Sequence, residues 1–87
     1  MNKYQSELQG LRPDDEIQDI EYNERDLGYG FIHTAGHGYL VIPRNDYAIQ
    51  AAIGLCEYGY LGNHAIYLEE DCEAPAFIKL VENNPGT

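Results

Sequence analysis

Three histidines and two cysteines are the side chains of this 87-residue chain with the most reactive chemistry. His33-Thr34-Ala35-Gly36-His37 places two imidazoles four residues apart, and His64, Cys56 and Cys72 would supply further ligands. Zinc needs about four such groups converging at about 2.0–2.3 Å. Residues four apart share a face only on a helix, whereas Gly36 and Gly38 favour a turn, and the cysteines lack C-x-x-C spacing. A metal-binding or hydrolytic domain built on His33, His37, His64 and Cys72 is therefore the alternative reading. A thiol nucleophile would need a neighbouring base and a group to orient it. Cys56 falls on an apolar helical stripe, where a buried, inert thiol is usual. Cys72 would start a helix, which lowers a thiol pKa, but the carboxylates around it raise it again. The expectation is no catalytic residue, no metal and no cofactor.

Carboxylates are the more informative group. The chain has 15 Asp and Glu against 5 Lys and Arg, for a formal charge of −10. Residues 14–26 hold seven of the acids and residues 69–73 hold four more. Neither run offers the D-x-D-x-D-G spacing of a calcium loop, and GYGFIHTAGHG lacks the ending of a phosphate-binding loop. Paired acids such as Glu69 and Asp71 could serve acid–base catalysis, but that chemistry needs a cleft of several hundred Å³, which a small one-layer core is not expected to supply. Tyr58, Tyr60 and Tyr67 precede the second acidic run, and Tyr22 sits in the first. Tyrosine beside carboxylate suits the centre of a protein interface. Alternate residues of a strand lie about 6.6 Å apart, close to two phosphate steps of about 3.4 Å along a DNA strand, so Asp19 and Glu21 could stand where phosphates would. The opposing account is a solvated face that keeps a small protein soluble.

The elements that must carry these groups follow from periodicity. Residues 1–13 carry few apolar side chains and end in Arg12-Pro13-Asp14, which reads as a flexible N-terminal arm or a loosely docked helical turn. Residues 17–26 fit either a helix stripe or an alternating edge strand, and a turn at Gly28 favours the strand. Strands over 29–34 and 39–42 flank a four-residue loop whose glycines permit positive φ. Ile49, Ala52, Ile53 and Cys56 mark a helix over 46–56, capped by Asn45 or Asp46. Residues 64–69 alternate as a half-buried strand. Asp71 then caps a last helix through Ala74, Phe77, Ile78 and Val81. Residues 14–82 thus form one α+β domain, a small antiparallel sheet of three to four strands backed on one face by two helices, with 83–87 a frayed end.

Composition narrows the partners. Hydrophobic residues make up 44% of the chain, too many for a disordered acidic tail. The negative charge opposes direct contact with nucleic acid or an anionic membrane. No apolar run would span a bilayer and the first ten residues do not read as a signal peptide, so the expected location is the cytoplasm of a host cell, with both thiols free.

The stretch HTAGHGYLVIP, followed by CEYGYLGNHAIYLEEDCEAPAFIKL, resembles a group of small uncharacterised proteins of bacteriophages and other bacterial mobile elements. Their shared pattern is similar to a T-x-G-H-G-Y-L turn and, some twenty-five residues later, a Y-L-E-E-D-C-(D/E)-A-P stretch, here Thr34–Leu40 and Tyr67–Pro75. The resemblance implies a small cytoplasmic phage-type protein and carries over no activity and no catalytic residue. By size and charge alone the chain is also similar to acidic phage inhibitors, including anti-CRISPR proteins and DNA mimics. The function expected is inhibition of a host nucleic-acid-binding defence or DNA-processing protein through its basic surface. Glu16, Asp19, Glu21, Glu24, Glu69, Glu70 and Asp71 would pair with its Lys and Arg, and Tyr22, Tyr58, Tyr60 and Tyr67 would pack around them. A structural homodimer is a further alternative.

Overall fold

In the computed structural model, which describes residues 1–84, the chain is ordered from its second residue. Asn2 starts helix α1 (Lys3–Leu11) through a capping box: its Oδ1 accepts from the Tyr4 and Gln5 amides at 3.0 and 2.9 Å, and the Gln5 Oε1 accepts from the Asn2 amide at 2.9 Å. Strand β1 (Ile17–Tyr22) follows, then a single 3₁₀ turn at Glu24–Asp26 and strand β2 (Gly30–Thr34). After a three-residue loop come β3 (Gly38–Pro43), helix α2 (Ile49–Leu55), the short β4 (Tyr60–Leu61), β5 (Ala65–Glu69) and helix α3 (Glu73–Asn83).

The five strands form one sheet in the order β1-β2-β3-β5-β4, with every pair antiparallel. The fold is α+β, as expected, with one strand more than the expected maximum. Side-chain alternation divides the core in two. Phe31, Leu40, Ile42, Ile66 and Leu68 face α2 and α3, where Ala52, Ala74, Phe77 and Val81 cover them. Ile17, Ile32, Tyr39, Val41, Ala65 and Tyr67 face the other way and meet Leu8 of α1, which is fully buried.

Residues 1–13 are therefore not a flexible arm. Burying one leucine contributes about 1.5–3 kcal/mol, and two glutamines of α1 add hydrogen bonds to the start of β1. The Gln5 Nε2 donates to the Gln18 carbonyl at 3.1 Å, and the Gln9 side chain donates to the Asp15 carbonyl at 2.7 Å and accepts from the Ile17 amide at 3.3 Å. Because α1 covers the second face, β5 is buried on both sides from Ala65 to Leu68 rather than half-buried. Among the described residues the sheet carries three helices, not two.

Local expectations are met unevenly. Residues 17–22 are a strand, and Gly28, at φ 82°, closes the turn after it. Gly36 and Gly38 do not take positive φ. Gly38 is required for space, since a Cβ there would come within 2.6 Å of the Phe31 ring and 2.8 Å of the Glu70 carboxylate. Helix α2 begins three residues late because Asp46 caps a turn instead: its Oδ2 accepts from the Ala48 amide at 3.0 Å. Asp71 does not cap α3; Cys72 holds that position without a side-chain hydrogen bond. The frayed end expected at 83–87 begins with Asn83 still in α3, and residues 85–87 lie outside the described residues. No helix among the described residues is long and apolar enough to cross a membrane.

One carboxylate fastens α1 to the far side of the sheet. Glu7 accepts from the Asn63 amide at 2.6 Å, the His64 amide at 3.0 Å and the Tyr67 hydroxyl at 2.8 Å. Burial pushes this carboxyl up, but the bonds from Tyr67, His64 and Asn63 outweigh it and hold the group below its ordinary value of 4.5. Burial, and then the Glu7 carboxylate, raise the Tyr67 phenol well above its usual range, so it remains the donor. A group whose pKa is lowered by folding contributes stability that is present above its unfolded value and is lost as pH falls through its folded value. Glu7→Gln is therefore expected to lower the midpoint of urea unfolding at neutral pH and to flatten the loss of stability as pH falls below the ordinary glutamate range.

Candidate functional site

The antiparallel order brings the start of the first acidic segment and the second acidic segment to one end of the sheet. Ile17 at the start of β1 pairs with Thr34 at the end of β2, His33 pairs with Gly38 at the start of β3, and Tyr39 pairs with Glu69 at the end of β5. Glu16, just before β1, and Glu69, Glu70 and Asp71, at the close of β5, thus belong to the same edge of the fold. Three strand steps separate them, about 14 Å across the sheet. From that corner the first segment continues about 20 Å along β1, the outermost strand, to Glu24 and Tyr22 at the far end. All seven proposed carboxylates are exposed except Glu69, which is half-buried.

On the α2–α3 face the two segments approach one another across Phe31 and His33. The Glu21 Oε1 lies 3.7 Å from the His33 Nε2, the His33 ring sits 4.9 Å from that of Phe31, and Glu70 lies over Gly38 beside the same ring. On the α1 face Asp15 and Glu69 both act on Tyr39. Burial chiefly raises that phenol, the Arg12 charge partly offsets it, and Tyr60 and the two carboxylates raise it further. The ladder is irregular between Ile17 and Ile20, so Asp19 stands outside the regular alternation with Glu21 that its spacing suggested.

Two groups stand out among the acids. Glu7, Asp15, Asp46 and Glu73 are bound into the fold. Asp15 pairs with Arg12 at both Nε (2.6 Å) and Nη2, and Asp46 accepts from the Tyr29 hydroxyl at 2.8 Å. Glu73 is 5% exposed, and its carboxylate accepts from four backbone amides: Glu57 at 2.8 Å, Tyr58, and Gly59 and Glu69 at 3.1 Å each. By contrast, among the described residues the Glu16, Asp19, Glu24, Glu70 and Asp71 carboxylates have neither a cationic nitrogen within 4.0 Å nor a hydrogen-bond donor, Glu69 accepts only from the Asp71 amide at 2.9 Å, and Glu21 has His33 and the Asn23 side chain.

Glu73 is the site residue that sequence reasoning missed. Although it opens α3, its ligands are the amides of the α2–β4 loop and of β5. That one side chain joins Tyr58 to Glu69 and so sets the shape of the second acidic segment. A Glu just before a helix-opening Ala-Pro is the only signal the sequence carried for it.

The tyrosines separate. Tyr22 and Tyr58 are 61% and 69% exposed and stand beside the acids, as expected. Tyr60 is half-buried against Tyr39 at 5.8 Å and accepts from the Arg12 Nη1 at 2.9 Å. Tyr67 is fully buried, because its side chain points under α1, and it is not a contact residue.

The histidines and cysteines are not assembled. His33 stacks on Phe31 on one face of the sheet, whereas His37 lies 6.4 Å from Tyr39, which belongs to the other. His64 sits in the β4–β5 turn, and Cys72 is exposed at the start of α3. Among the described residues no three His, Cys, Asp or Glu side chains are grouped to hold a metal ion. Burial, and then the Glu73 charge, push the Cys56 thiol up. The small core does shape clefts of the size doubted from sequence: two open grooves measure about 450 and 770 Å³.

No protein-family model, no curated protein and no solved structure matches this chain.

Proposed function

We propose that this chain is a small acidic binding protein of phage type that inhibits a host nucleic-acid-binding defence or DNA-processing protein by occupying its basic surface. The observation that carries this reading is the set of five carboxylates, Glu16, Asp19, Glu24, Glu70 and Asp71, with neither a cationic partner nor a hydrogen-bond donor among the described residues, presented along an edge strand and at the adjoining sheet end. Like charges held together cost a fold free energy through self-repulsion. Four acids in the same chain are neutralised or hydrogen-bonded into the structure, so the fold has the means to satisfy carboxylates and leaves these free. Their ranks of negative charge complement a groove lined by Lys and Arg that otherwise holds phosphates, and Tyr22 and Tyr58 supply flanking aromatic contact. The T-x-G-H-G-Y-L and Y-L-E-E-D-C-E-A-P stretches, similar to those of phage proteins, support a host protein as the target.

Salt gives the first test. Immobilised protein, exposed to nuclease-treated bacterial lysate, is expected to retain nucleic-acid-binding proteins at about 0.05 M NaCl and release them by about 0.5 M, where screening reaches within a few Å. Retention that is indifferent to salt would contradict the reading.

A further inference from the structure

Tyr22, Leu27 and Tyr47, three of the exposed large apolar side chains, line a single groove of about 450 Å³ at the end of the sheet opposite Glu69 and Glu70. Its floor includes Ile20, Gly30, Val41 and Pro43, and Tyr4 and Tyr29 complete an aromatic lining of four rings. Leu27 is the only non-glycine residue at positive φ among the described residues, at 54°, an arrangement that leaves an apolar side chain 42% exposed at the mouth of the groove. One charged group lines the cavity, Asp46, and no Lys or Arg does. Its Oδ2 accepts from the Tyr29 hydroxyl and the Ala48 amide, while Oδ1 accepts no hydrogen bond among the described residues. Burial, and then the Asp46 carboxylate, raise the Tyr29 phenol above its ordinary value, so the ring beside the carboxylate stays neutral.

We propose that this groove receives an arginine side chain of the basic partner. This rests on the reading of that partner as a cationic surface and adds the anchor that fixes its position. Neutral tyrosine faces attract a cation, and a carboxylate oxygen without a partner at the same place supplies the counter-charge. Arginine fits better than lysine because its planar guanidinium stacks on aromatic rings, is weakly hydrated, and donates from several nitrogens at once. The acidic end would then steer the partner over a long range, and the groove would hold one residue of it at close range.

The test uses the purified protein and a small probe, N-acetyl-arginine methylamide, with N-acetyl-citrulline methylamide as its neutral isostere. In amide NMR titrations the arginine probe is expected to shift Gly28, Gly30 and Tyr47 saturably, and the citrulline probe to bind about tenfold more weakly or less. Asp46→Asn keeps an oxygen for the Tyr29 hydroxyl and the Ala48 amide but removes the charge, and is expected to weaken the arginine probe about tenfold. Tyr47→Leu, at a side chain that is 59% exposed and not needed by the core, is expected to weaken it about threefold and serves should Asp46→Asn fail to fold. Equal binding of both probes, shifts confined to Glu16 and Glu70, or arginine binding unchanged in the folded variants would overturn the proposal. The probe is not the partner, so its failure leaves salt-dependent capture standing, and a loss of capture leaves the probe result standing.

Discussion

Glu73→Ala is expected to destabilise the protein by about 4 kcal/mol or more, against a total stability of roughly 4–13 kcal/mol for a chain of this length. The physical reason is that four backbone amides lose their acceptor at once: those of Glu57, Tyr58, Gly59 and Glu69. Three of these donors belong to the loop between α2 and β4, and the fourth closes β5. Truncation would leave them facing the small cavity of the lost side chain. Glu73→Gln retains one carbonyl oxygen and is expected to cost about 2 kcal/mol. The neighbouring Glu70→Ala, which removes an exposed side chain without a cationic partner, is expected to stay within about 0.5 kcal/mol of the parent. Urea unfolding of the three variants checks the ordering. A Glu73→Ala protein as stable as the parent would remove Glu73 from its assigned role.

Charge reversal at the acidic end is expected to have the opposite profile, large for binding and small for folding. The triple variant Glu16→Lys, Asp19→Lys and Glu70→Lys should weaken capture of a basic partner by about a hundredfold or more, because each attraction becomes a repulsion. The same variant should unfold at an unchanged or higher temperature, since three members of a self-repelling set have been removed. A merely solubilising face would show no such loss of capture. Thermal unfolding by circular dichroism, run beside the capture assay, separates lost binding from lost structure.

Much of this fold was legible in sequence because its strands and last two helices carry their period openly. Ile49, Ala52 and Ile53, and Ala74, Phe77 and Val81, recur at helical spacing, and each set packs on the sheet as that spacing requires. The N-terminal helix was not legible, because a single Leu8 and a half-covered Tyr4 make a weak stripe. Its real signals are polar: the Asn2–Gln5 capping box and the glutamines that reach β1. That one omission accounts for two others, since a sheet with an uncovered face would leave Tyr67 in solvent and β5 half-buried. The acidic runs were visible as composition, but their division into bound and free carboxylates depends on contacts between residues far apart in the chain. Glu7 meets Asn63, His64 and Tyr67, and Glu73 meets Glu57 to Gly59. No local pattern announces such pairings.

Competition decides whether the unpartnered carboxylates occupy a surface built for nucleic acid. Host proteins captured at low salt on the immobilised chain are challenged with a short DNA duplex, beside a parallel capture on the triple-lysine variant. The expected result is release by the duplex, with a potency that falls as salt rises, and no capture by the variant. Proteins that stay bound in excess duplex, and bind the variant as well as the parent, would contradict it.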